Sequence, residues 1–161
     1  MAAKLFKGAE YLIAEVTKDD IFTPEDFTDE QKQIGETTEQ FVTKEVIPHK
    51  EEIENHNFGL VVELMRKCGE LGLLMIDAPE EYGGLELDKA TSMLAAEKIA
   101  PAGSFSVTYS AHTGIGTLPL VYYGTKEQKD KYLPDLSTSK VSSRSSHQRR
   151  TTPLISATNI C

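Results

Sequence analysis

The sequence predicts an all-α fold, a helical bundle of about six helices with a disordered carboxy-terminal tail. Apolar residues recur at three- and four-residue spacing along most of the chain, and several of these runs begin with a capping signal. No run alternates apolar and polar residues over a convincing strand length. Short connectors between successive helices are typical of a bundle, so one helical core is expected.

The first predicted helix begins at Thr28, which forms a capping box with Gln31. Its apolar face is then continued by Ile34, Thr38, Phe41, Val42 and Val46. Pro48 is expected to end this helix. The second helix follows a face made by Leu60, Val61, Leu64, Met65, Cys68 and Leu71. Gly72 ends the second helix, because glycine readily takes the left-handed conformation of a C-cap.

Residues 73–87 predict a turn-rich connector, and a third helix follows it. The apolar run Leu73 to Ile76 is too short for a helix, and Pro79 with Gly83–Gly84 favours turns. Asp88 is positioned to cap the third helix, which continues through Ile99.

Two further helices are predicted after Pro101 and Gly103. The fourth is indicated by the spacing of Phe105, Thr108, Ala111, His112 and Ile115. A break is expected near its end, at Gly114, Gly116 and Pro119. The last helix begins with a second capping box, Thr125 with Gln128, and is expected to reach about Tyr132 before Pro134.

The composition changes after Leu136. Residues 137–161 contain four Lys or Arg residues and no Asp or Glu, and eleven of the 25 are Ser or Thr. Such a segment buries too little apolar area to offset its ordering entropy, so we expect it to be disordered. The chain is therefore divided into an amino-terminal extension (1–27), a helical domain (28–136) and this tail (137–161).

Charge and cysteine content exclude several classes of protein. With 17 basic and 25 acidic residues, the chain is not expected to bind nucleic acid, which requires clustered Lys and Arg. No apolar stretch approaches the roughly 20 residues of a membrane span, and the first ten residues lack the apolar core of a secretory signal. A cytoplasmic location is expected. Neither Cys68 nor Cys161 is expected to form a disulfide bond, which agrees with a reducing compartment.

No residue cluster supplies catalytic or metal-binding chemistry. His112 is a lone histidine in an apolar helix, where a hydrogen-bonded structural role is commoner than a catalytic one. The four histidines and two cysteines lack metal-ligand spacing. No glycine-rich phosphate loop is present, and the charged run from Lys126 to Lys131 is interpreted as a solvated helix face.

An ordered set of motifs resembles the amino-terminal helical domain of the acyl-CoA dehydrogenases. The motifs are, in order, Gly-Glu-Leu-Gly-Leu (69–73), Pro-Glu-Glu-Tyr-Gly-Gly (79–84), Ala-His (111–112), Leu-Pro-Leu (118–120) and Gly-Thr-Lys-Glu-Gln-Lys (124–129). Each is weak alone, since Gly-Gly beside acidic residues is usually just a tight loop. Together they cover about 110 residues.

The resemblance implies an FAD-dependent oxidoreductase of lipid metabolism. Members remove hydrogen from the α and β carbons of acyl-CoA in fatty-acid β-oxidation, using a glutamate base, and pass the electrons to an electron-transfer flavoprotein. In the family, the flavin motif, the glutamate and most contacts of the homo-oligomer lie in domains that follow this one. No such motif follows Leu136. We therefore expect no catalytic residue and no identifiable flavin contact in this chain, which should be inactive alone and is not expected to retain FAD.

The resemblance also implies a substrate site. The helix around Ser106 to Ile115 is closest in pattern to long-chain and very-long-chain members, in which it forms the floor of the acyl pocket. The corresponding residues are Val107, Thr108, Ala111 and Ile115. The position of Ala111 carries a carboxylate in medium-chain members, so alanine implies a deeper pocket. The alternative is that Val107, Ala111 and Ile115, at i, i+4 and i+8, only pack the bundle core.

Two alternatives remain open at the level of the sequence. The chain is either an acyl-CoA dehydrogenase gene product or a non-catalytic helical module that binds a partner through an exposed apolar face. The tail is either genuine or the product of a shifted reading frame, a hypothesis prompted by the abrupt loss of pattern after Leu136. The nucleotide sequence beyond codon 136 distinguishes the two origins of the tail.

Overall fold

The computed structural model describes residues 9–15, 17 and 21–137. The tail predicted to be disordered, 137–161, lies outside this range except for Ser137, which is helical instead of disordered; much of the amino-terminal extension also lies outside it. Every regular element among the described residues is a helix and none is a strand, which confirms the all-α prediction. Their α-helices are α1 (Asp29–Phe41), α2 (Lys50–Glu54), α3 (Phe58–Glu70), α4 (Lys89–Ile99), α5 (Ser104–Ser110), α6 (Leu118–Tyr123) and α7 (Lys126–Ser137).

The amino-terminal ends of α1 and α4 are joined by hydrogen bonds. Thr28 and Gln31 form the predicted capping box, with the Gln31 main-chain N–H 3.2 Å from the Thr28 hydroxyl. Asp88 caps α4 by accepting hydrogen bonds from the main-chain N–H and hydroxyl of Thr91. The Gln31 amide also donates to Asp88, at 2.9 Å to Oδ2. Hydrogen bonds from Thr91 and Gln31 lower the pKa of Asp88, and α1 packs along α4.

Pro48 does not end the first helical run, contrary to the prediction. Beyond α1 the backbone forms one π-helical turn, Val42–Val46, then a 3₁₀ turn, Ile47–His49, and continues into α2. Pro48 lies in the first turn of the 3₁₀ segment, where a proline's missing N–H removes no helical hydrogen bond. The buried positions Phe41, Val42 and Val46 are as predicted.

The second predicted helix is α3, which ends at the expected glycine. Leu64 and Cys68 are fully buried, and Gly72 has a positive φ of 75°. Leu71 was assigned to the apolar face but is 43% exposed, because the helix has ended by that point. The following apolar run, Leu73 to Ile76, is buried in non-helical conformation at the centre of the core.

A turn between α3 and α4 contains the Pro-Glu-Glu-Tyr-Gly-Gly motif. Main-chain hydrogen bonds link its two arms: Leu85 donates to Met75 at 3.0 Å, and Glu86 donates to Ala78 at 2.9 Å. Gly83 has φ 83°, and a Cβ atom at Gly84 would lie 2.0 Å from the Ala78 carbonyl oxygen. The motif therefore has a structural explanation: the conformation at position 83 favours glycine, and the close main-chain contact at position 84 leaves no room for a side chain.

The predicted break near Gly114 is absent. Helices α5 and α6 are joined by a π-helical segment, Ala111–Thr117, so the chain remains helical from 104 to 123. The Thr117 hydroxyl donates to the His112 carbonyl at 2.8 Å, which satisfies an acceptor in the widened turn. Pro119 lies in the first turn of α6, where proline is tolerated.

Helix α7 is longer than predicted. It begins with the expected capping box, in which the Thr125 main-chain N–H donates to Gln128 at 2.9 Å. It then passes through Pro134 and reaches Ser137, the last residue that the structure describes, instead of stopping near Tyr132. Leu133 and Leu136 are buried on either side of the proline, so core packing favours helix continuation over the cost of an interior proline.

Candidate binding site

An apolar cavity opens at the surface between three parts of the fold. We call it the α4–α6 cavity; its walls are the connector 73–78, one face of α4, and the helical stretch from α5 to α6. Its volume is about 330 Å³, within the range of small-ligand sites. Its lining residues include Asp77, Lys89, Met93, Ala96, Tyr109 and Gly114.

Asp77 and Lys89 form an ion pair among the residues that line this cavity. The Lys89 ammonium donates to Asp77 Oδ2 at 2.7 Å, and it lies 5.7 Å from the centre of the Tyr122 ring. Partial burial opposes protonation of Lys89, but the Asp77 carboxylate raises its pKa overall. The second carboxylate oxygen, Oδ1, is buried and has no hydrogen-bond partner among the described residues.

Tyr109 fixes the wall of the cavity that the connector forms. Its hydroxyl donates to the Leu73 carbonyl at 2.7 Å, between positions 36 residues apart. Burial raises the pKa of Tyr109 well above its usual range, so the phenol remains protonated and available as this donor. The bond holds the helix containing Tyr109 against the apolar connector.

His112 has the structural environment that the sequence favoured. Its Nε2 is 3.3 Å from the Leu136 carbonyl, which places the imidazole between the π-helical segment and α7. Burial lowers the pKa of His112, while the hydrogen bond to Leu136 partly opposes this shift. A neutral imidazole that donates to a carbonyl links the two helices.

The four predicted pocket residues lie outside the lining of the α4–α6 cavity. Val107 and Ile115 are 69% and 75% exposed, so neither packs the core of the described domain. Thr108 and Ala111 are half-buried on the same helical stretch. Val107 and Ile115 are thus each exposed to solvent, and neither lines the cavity.

Sequence reasoning did not find the cavity. Ser110, Gly114 and Leu118 line it at intervals of four, as do Tyr109, Thr113 and Thr117. The small residues among them, Ser110 and Gly114, were the available signal, but small residues at this spacing are equally typical of close helix packing. These helix residues form the wall of a cavity only because the connector residues 73–78, distant in sequence, lie opposite them.

Neither a metal cluster nor a membrane span is present in the part of the chain that the structure describes. No three His, Cys, Asp or Glu side chains there are grouped to hold a metal ion. None of the described helices is long and apolar enough to cross a bilayer.

Comparison with known protein families gives a match over most of the domain. The family model described as Acyl-CoA dehydrogenase, N-terminal domain, matches residues 28–140. The chain belongs to the acyl-CoA dehydrogenase family. This confirms the resemblance recognised from the motifs around Pro79 and His112.

Several members of this family are similar to the chain. A probable acyl-CoA dehydrogenase of Bacillus subtilis is 56% identical over 137 residues, which is 85% of this chain and 23% of that protein. A mitochondrial isovaleryl-CoA dehydrogenase of Solanum tuberosum is 45% identical over 68% of this chain and 27% of its own length. The acyl-CoA dehydrogenase chain thus spans about a quarter of these relatives.

The fold of this acyl-CoA dehydrogenase domain is also found in solved structures. An acyl-CoA dehydrogenase of Bacillus anthracis, complexed with FAD, matches with a TM-score of 0.78 and 54% identity. The match covers 82% of this chain and 23% of that one. A structure described as an electron transferring flavoprotein of Acidaminococcus fermentans matches 72% of this chain and 30% of its own, with a TM-score of 0.65 and 32% identity.

Proposed function

We propose that this chain is the amino-terminal helical domain of an enzyme that dehydrogenates acyl-CoA thioesters between their α and β carbons. The observation that supports this most directly is the family match over residues 28–140, together with the similarity to a Bacillus anthracis enzyme that contains FAD. In the complete enzyme, electrons would leave through FAD to an electron-transfer flavoprotein. A role in fatty-acid β-oxidation follows from the same proposal.

The α4–α6 cavity does not fit FAD. A dinucleotide needs cations or free N–H groups for its pyrophosphate. The cation that lines this cavity, Lys89, is already paired with Asp77, and the remaining lining is mainly apolar. The flavin of the complete enzyme would therefore be bound by polypeptide that follows this domain. The catalytic glutamate would lie in that polypeptide as well. The present chain is proposed to be inactive alone.

The exposed helix face carries the proposed substrate contacts. Val107 and Ile115 are aliphatic side chains directed to solvent, and Ala111 lies between them in sequence. A following domain that covered this face would convert it into the floor of an acyl pocket. The small side chain of Ala111 supports a pocket deep enough for long acyl chains. Relatives named as isovaleryl-CoA dehydrogenases make a short branched acyl group the competing substrate.

A chimera tests the proposed activity. Residues 1–136 would be joined to the remaining polypeptide of the 56% identical Bacillus subtilis relative. We expect the 161-residue chain to be colourless and inactive in dye-linked oxidation of palmitoyl-CoA, and the chimera to be yellow and active. A flavin band and turnover in the 161-residue chain would contradict the proposed inactivity. A folded, flavin-loaded chimera without acyl-CoA oxidation would contradict the proposed enzyme.

Substrate choice is tested with Ala111→Glu in the chimera. A carboxylate on the pocket floor should lower kcat/KM for palmitoyl-CoA by about tenfold or more relative to octanoyl-CoA, because a long alkyl chain would meet a charged group. Ala100→Glu, at an exposed position after α4, is the matched control and should leave the ratio unchanged. Faster oxidation of isovaleryl-CoA than palmitoyl-CoA by the unmodified chimera would refute the long-chain assignment.

A partner-binding role is the second candidate, favoured by the exposed apolar side chains on the same helix. In this case the 161-residue chain would function as a module that docks through Val107 and Ile115. Analytical ultracentrifugation of the purified chain distinguishes the two. Concentration-dependent association relieved by Val107→Ser and Ile115→Ser fits a domain lacking its covering neighbour. A sharp monomer at high concentration is expected only for a free-standing module.

A further inference from the structure

We propose that the amino-terminal extension, residues 1–27, packs against polypeptide that the longer relatives of this chain contain and the shorter relatives lack, here called the additional polypeptide. The contact would be made by four large apolar side chains, Leu12, Ile13, Ile21 and Phe22. It involves no acyl or flavin group, and it rests on the proposed function only in taking the longer relatives as the source of the partner.

The large apolar side chains of the extension are exposed to solvent. Leu12 is 69% exposed, Ile13 89%, Ile21 56% and Phe22 55%. Single exposed apolar residues are ordinary on protein surfaces, but four within positions 12–22 are a concentration typical of a contact with another polypeptide. Among the described residues, the core of the helical domain includes none of the four, so their burial requires another surface.

Local contacts hold Phe22 at a defined place beside α1. The Thr23 main-chain N–H donates to Asp26 Oδ2 at 2.8 Å, at the start of the 3₁₀ turn Pro24–Asp26. The rings of Phe22 and Phe27 meet edge to face, with their centroids 5.1 Å apart. Phe22 nevertheless stays more than half exposed. These contacts therefore position the apolar end of the extension next to the domain without burying it.

Relatives of two sizes match different lengths of this chain. The 137 residues matched by the Bacillus subtilis relative are 23% of that protein, which therefore has about 600 residues. Only 134 residues follow position 27, so this match includes part of the extension. The Solanum tuberosum relative has about 415 residues, since 112 matched residues are 27% of its length. A match of that length fits within the family domain, 28–140.

The solved structures divide in the same way. The Bacillus anthracis match covers 82% of this chain and 23% of its own, whereas the Acidaminococcus fermentans match covers 72% and 30%. The larger proteins thus match more of this chain. Because the match to the extension and the additional polypeptide occur in the same relatives, the additional polypeptide is the partner that fits these observations.

The charges of the extension indicate what borders the partner surface. Residues 1–27 contain six Asp or Glu residues and three Lys residues. Two of the acidic residues, Asp19 and Asp20, directly precede Ile21 and Phe22. An apolar surface bordered by Lys or Arg would therefore complement the extension better than one bordered by acidic residues.

Thiol labelling at position 13 tests the contact. Ile13→Cys is introduced into the 161-residue chain, into the chimera with the Bacillus subtilis relative, and into a second chimera that joins residues 1–136 to the remaining polypeptide of the Solanum tuberosum relative. Mass spectrometry of the peptide containing position 13 gives its rate of reaction with N-ethylmaleimide. Relative to the 161-residue chain, we expect this rate to be about tenfold lower or less in the Bacillus subtilis chimera and within about twofold in the second chimera.

Each other outcome contradicts a part of the proposal. Equal rates in the Bacillus subtilis chimera and the 161-residue chain would overturn the contact. Equal slowing in both chimeras would overturn the additional polypeptide as the partner, because the shorter relative lacks it. A rate that falls only with rising concentration of the 161-residue chain would assign the surface to a second copy and would also overturn the proposal.

Ile21→Ser tests whether the contact is apolar. Added to the Bacillus subtilis chimera that carries Ile13→Cys, it should raise the labelling rate by about fivefold or more, because it removes apolar contact area. Ile21 is chosen because the ring contact of Phe22 does not involve it. Tyr123→Ser, at an exposed position of α6 outside the extension, is the matched control and should leave the rate unchanged. Flavin absorbance and circular dichroism verify folding; an unchanged rate in folded Ile21→Ser would contradict an apolar contact.

A peptide repeats the test without a chimera. Fluorescein-labelled residues 1–27 are titrated with the Bacillus subtilis relative lacking its own matching amino-terminal segment. Saturable binding is expected, with a Kd about tenfold higher for the peptide carrying Ile13→Ser and Ile21→Ser. Lack of saturable binding would overturn the proposal. Neither labelling nor peptide binding requires turnover, so an inactive chimera would count against the proposed function alone.

Discussion

The turn that contains Gly83 and Gly84 is expected to tolerate a methyl group very differently at its two glycines. In Gly84→Ala, the new Cβ would lie 2.0 Å from the Ala78 carbonyl oxygen and 2.8 Å from the Ala78 Cβ. The first contact involves main-chain atoms, so no side-chain rotation can relieve it. In Gly83→Ala, the difficulty is the positive φ of 83°, which an alanine adopts at a modest cost.

The size of each effect follows from these contacts. A left-handed alanine costs about 1–2 kcal/mol, which is the expected loss of stability for Gly83→Ala. In Gly84→Ala, the Ala78 carbonyl must move, and it also accepts the Glu86 main-chain N–H at 2.9 Å. Losing that bond costs about 1–3 kcal/mol, and displacing buried neighbours adds about as much again. The expected total for Gly84→Ala is about 3 kcal/mol or more.

Urea denaturation followed by circular dichroism at 222 nm measures these differences. Gly114→Ala is the control, because its Cβ meets no atom within 4 Å; replacing this helical glycine should stabilise the domain by about 0.5–1 kcal/mol. The urea concentration at the unfolding midpoint is expected to fall in the order Gly114→Ala, the unmodified chain, Gly83→Ala and Gly84→Ala. A Gly84→Ala midpoint equal to or above that of Gly83→Ala would refute the steric reasoning.

Three further predictions concern buried side chains. Leu133 is fully buried, so Leu133→Ala should lower the free energy of unfolding, measured by urea denaturation, by about 2–5 kcal/mol. Tyr123 is 88% exposed, and Tyr123→Ala should change it by about 0.5 kcal/mol or less; equal losses in the two variants would contradict the assigned core. Burial lowers the folded-state pKa of His112, so its contribution to stability is complete above the ordinary value of 6.5 and is lost as the pH falls toward the lowered pKa. His112→Gln should lose less stability between pH 7.5 and 5 than the unmodified chain, measured by urea denaturation at both pH values; an unchanged loss would be evidence against this role. Burial raises the pKa of the Cys68 thiol to about 12. In a Cys161→Ser variant, Cys68 should therefore not react with a thiol reagent at pH 8 while the chain is folded, and it should react fully in urea; rapid labelling of the folded chain would contradict this burial.

The starts of α1, α4 and α7 were predictable because capping is local. Thr28 with Gln31, Thr125 with Gln128, and Asp88 each satisfy main-chain donors within three residues of the cap, so neighbouring residues suffice to specify them. The family motifs were predictable for a similar reason. Gly84 is required by a main-chain contact six residues away in the same turn.

The helix ends depended on residues far away in sequence. Pro134 was expected to stop α7, but the helix continues because Leu133 and Leu136 are buried against other helices. Pro48 was expected to end the first run, yet a π turn before it places it at the start of a new helical segment. Local propensity predicts that a helix stops at each proline. Tertiary packing overrides this prediction at Pro134, and a change of helix type overrides it at Pro48.

The candidate site was less predictable, because opposite sides of one helical stretch meet different surroundings. Val107, Ala111 and Ile115 were grouped by a spacing of four, which slightly exceeds one turn of an α-helix. Between Ala111 and Thr117 the segment is π-helical, with i→i+5 bonds and more residues per turn, so four residues there turn the chain less. Four residues therefore rotate the chain by more than one turn between Val107 and Ala111, and by less than one turn between Ala111 and Ile115. These two deviations partly cancel, which agrees with the exposure of both Val107 and Ile115.

The α4–α6 cavity shows why such a helix cannot be interpreted from its own residues. Gly114 and Ala96 are small side chains that would suit close helix packing equally well. What leaves space between them is the connector at Asp77, whose position is fixed by the Tyr109 hydrogen bond to Leu73, 36 residues away. The same small residues would close a core if the connector moved inward. The wall at Asp77 is thus set by contacts distant in sequence, including the 2.7 Å ion pair with Lys89, and the helix residues alone do not specify it.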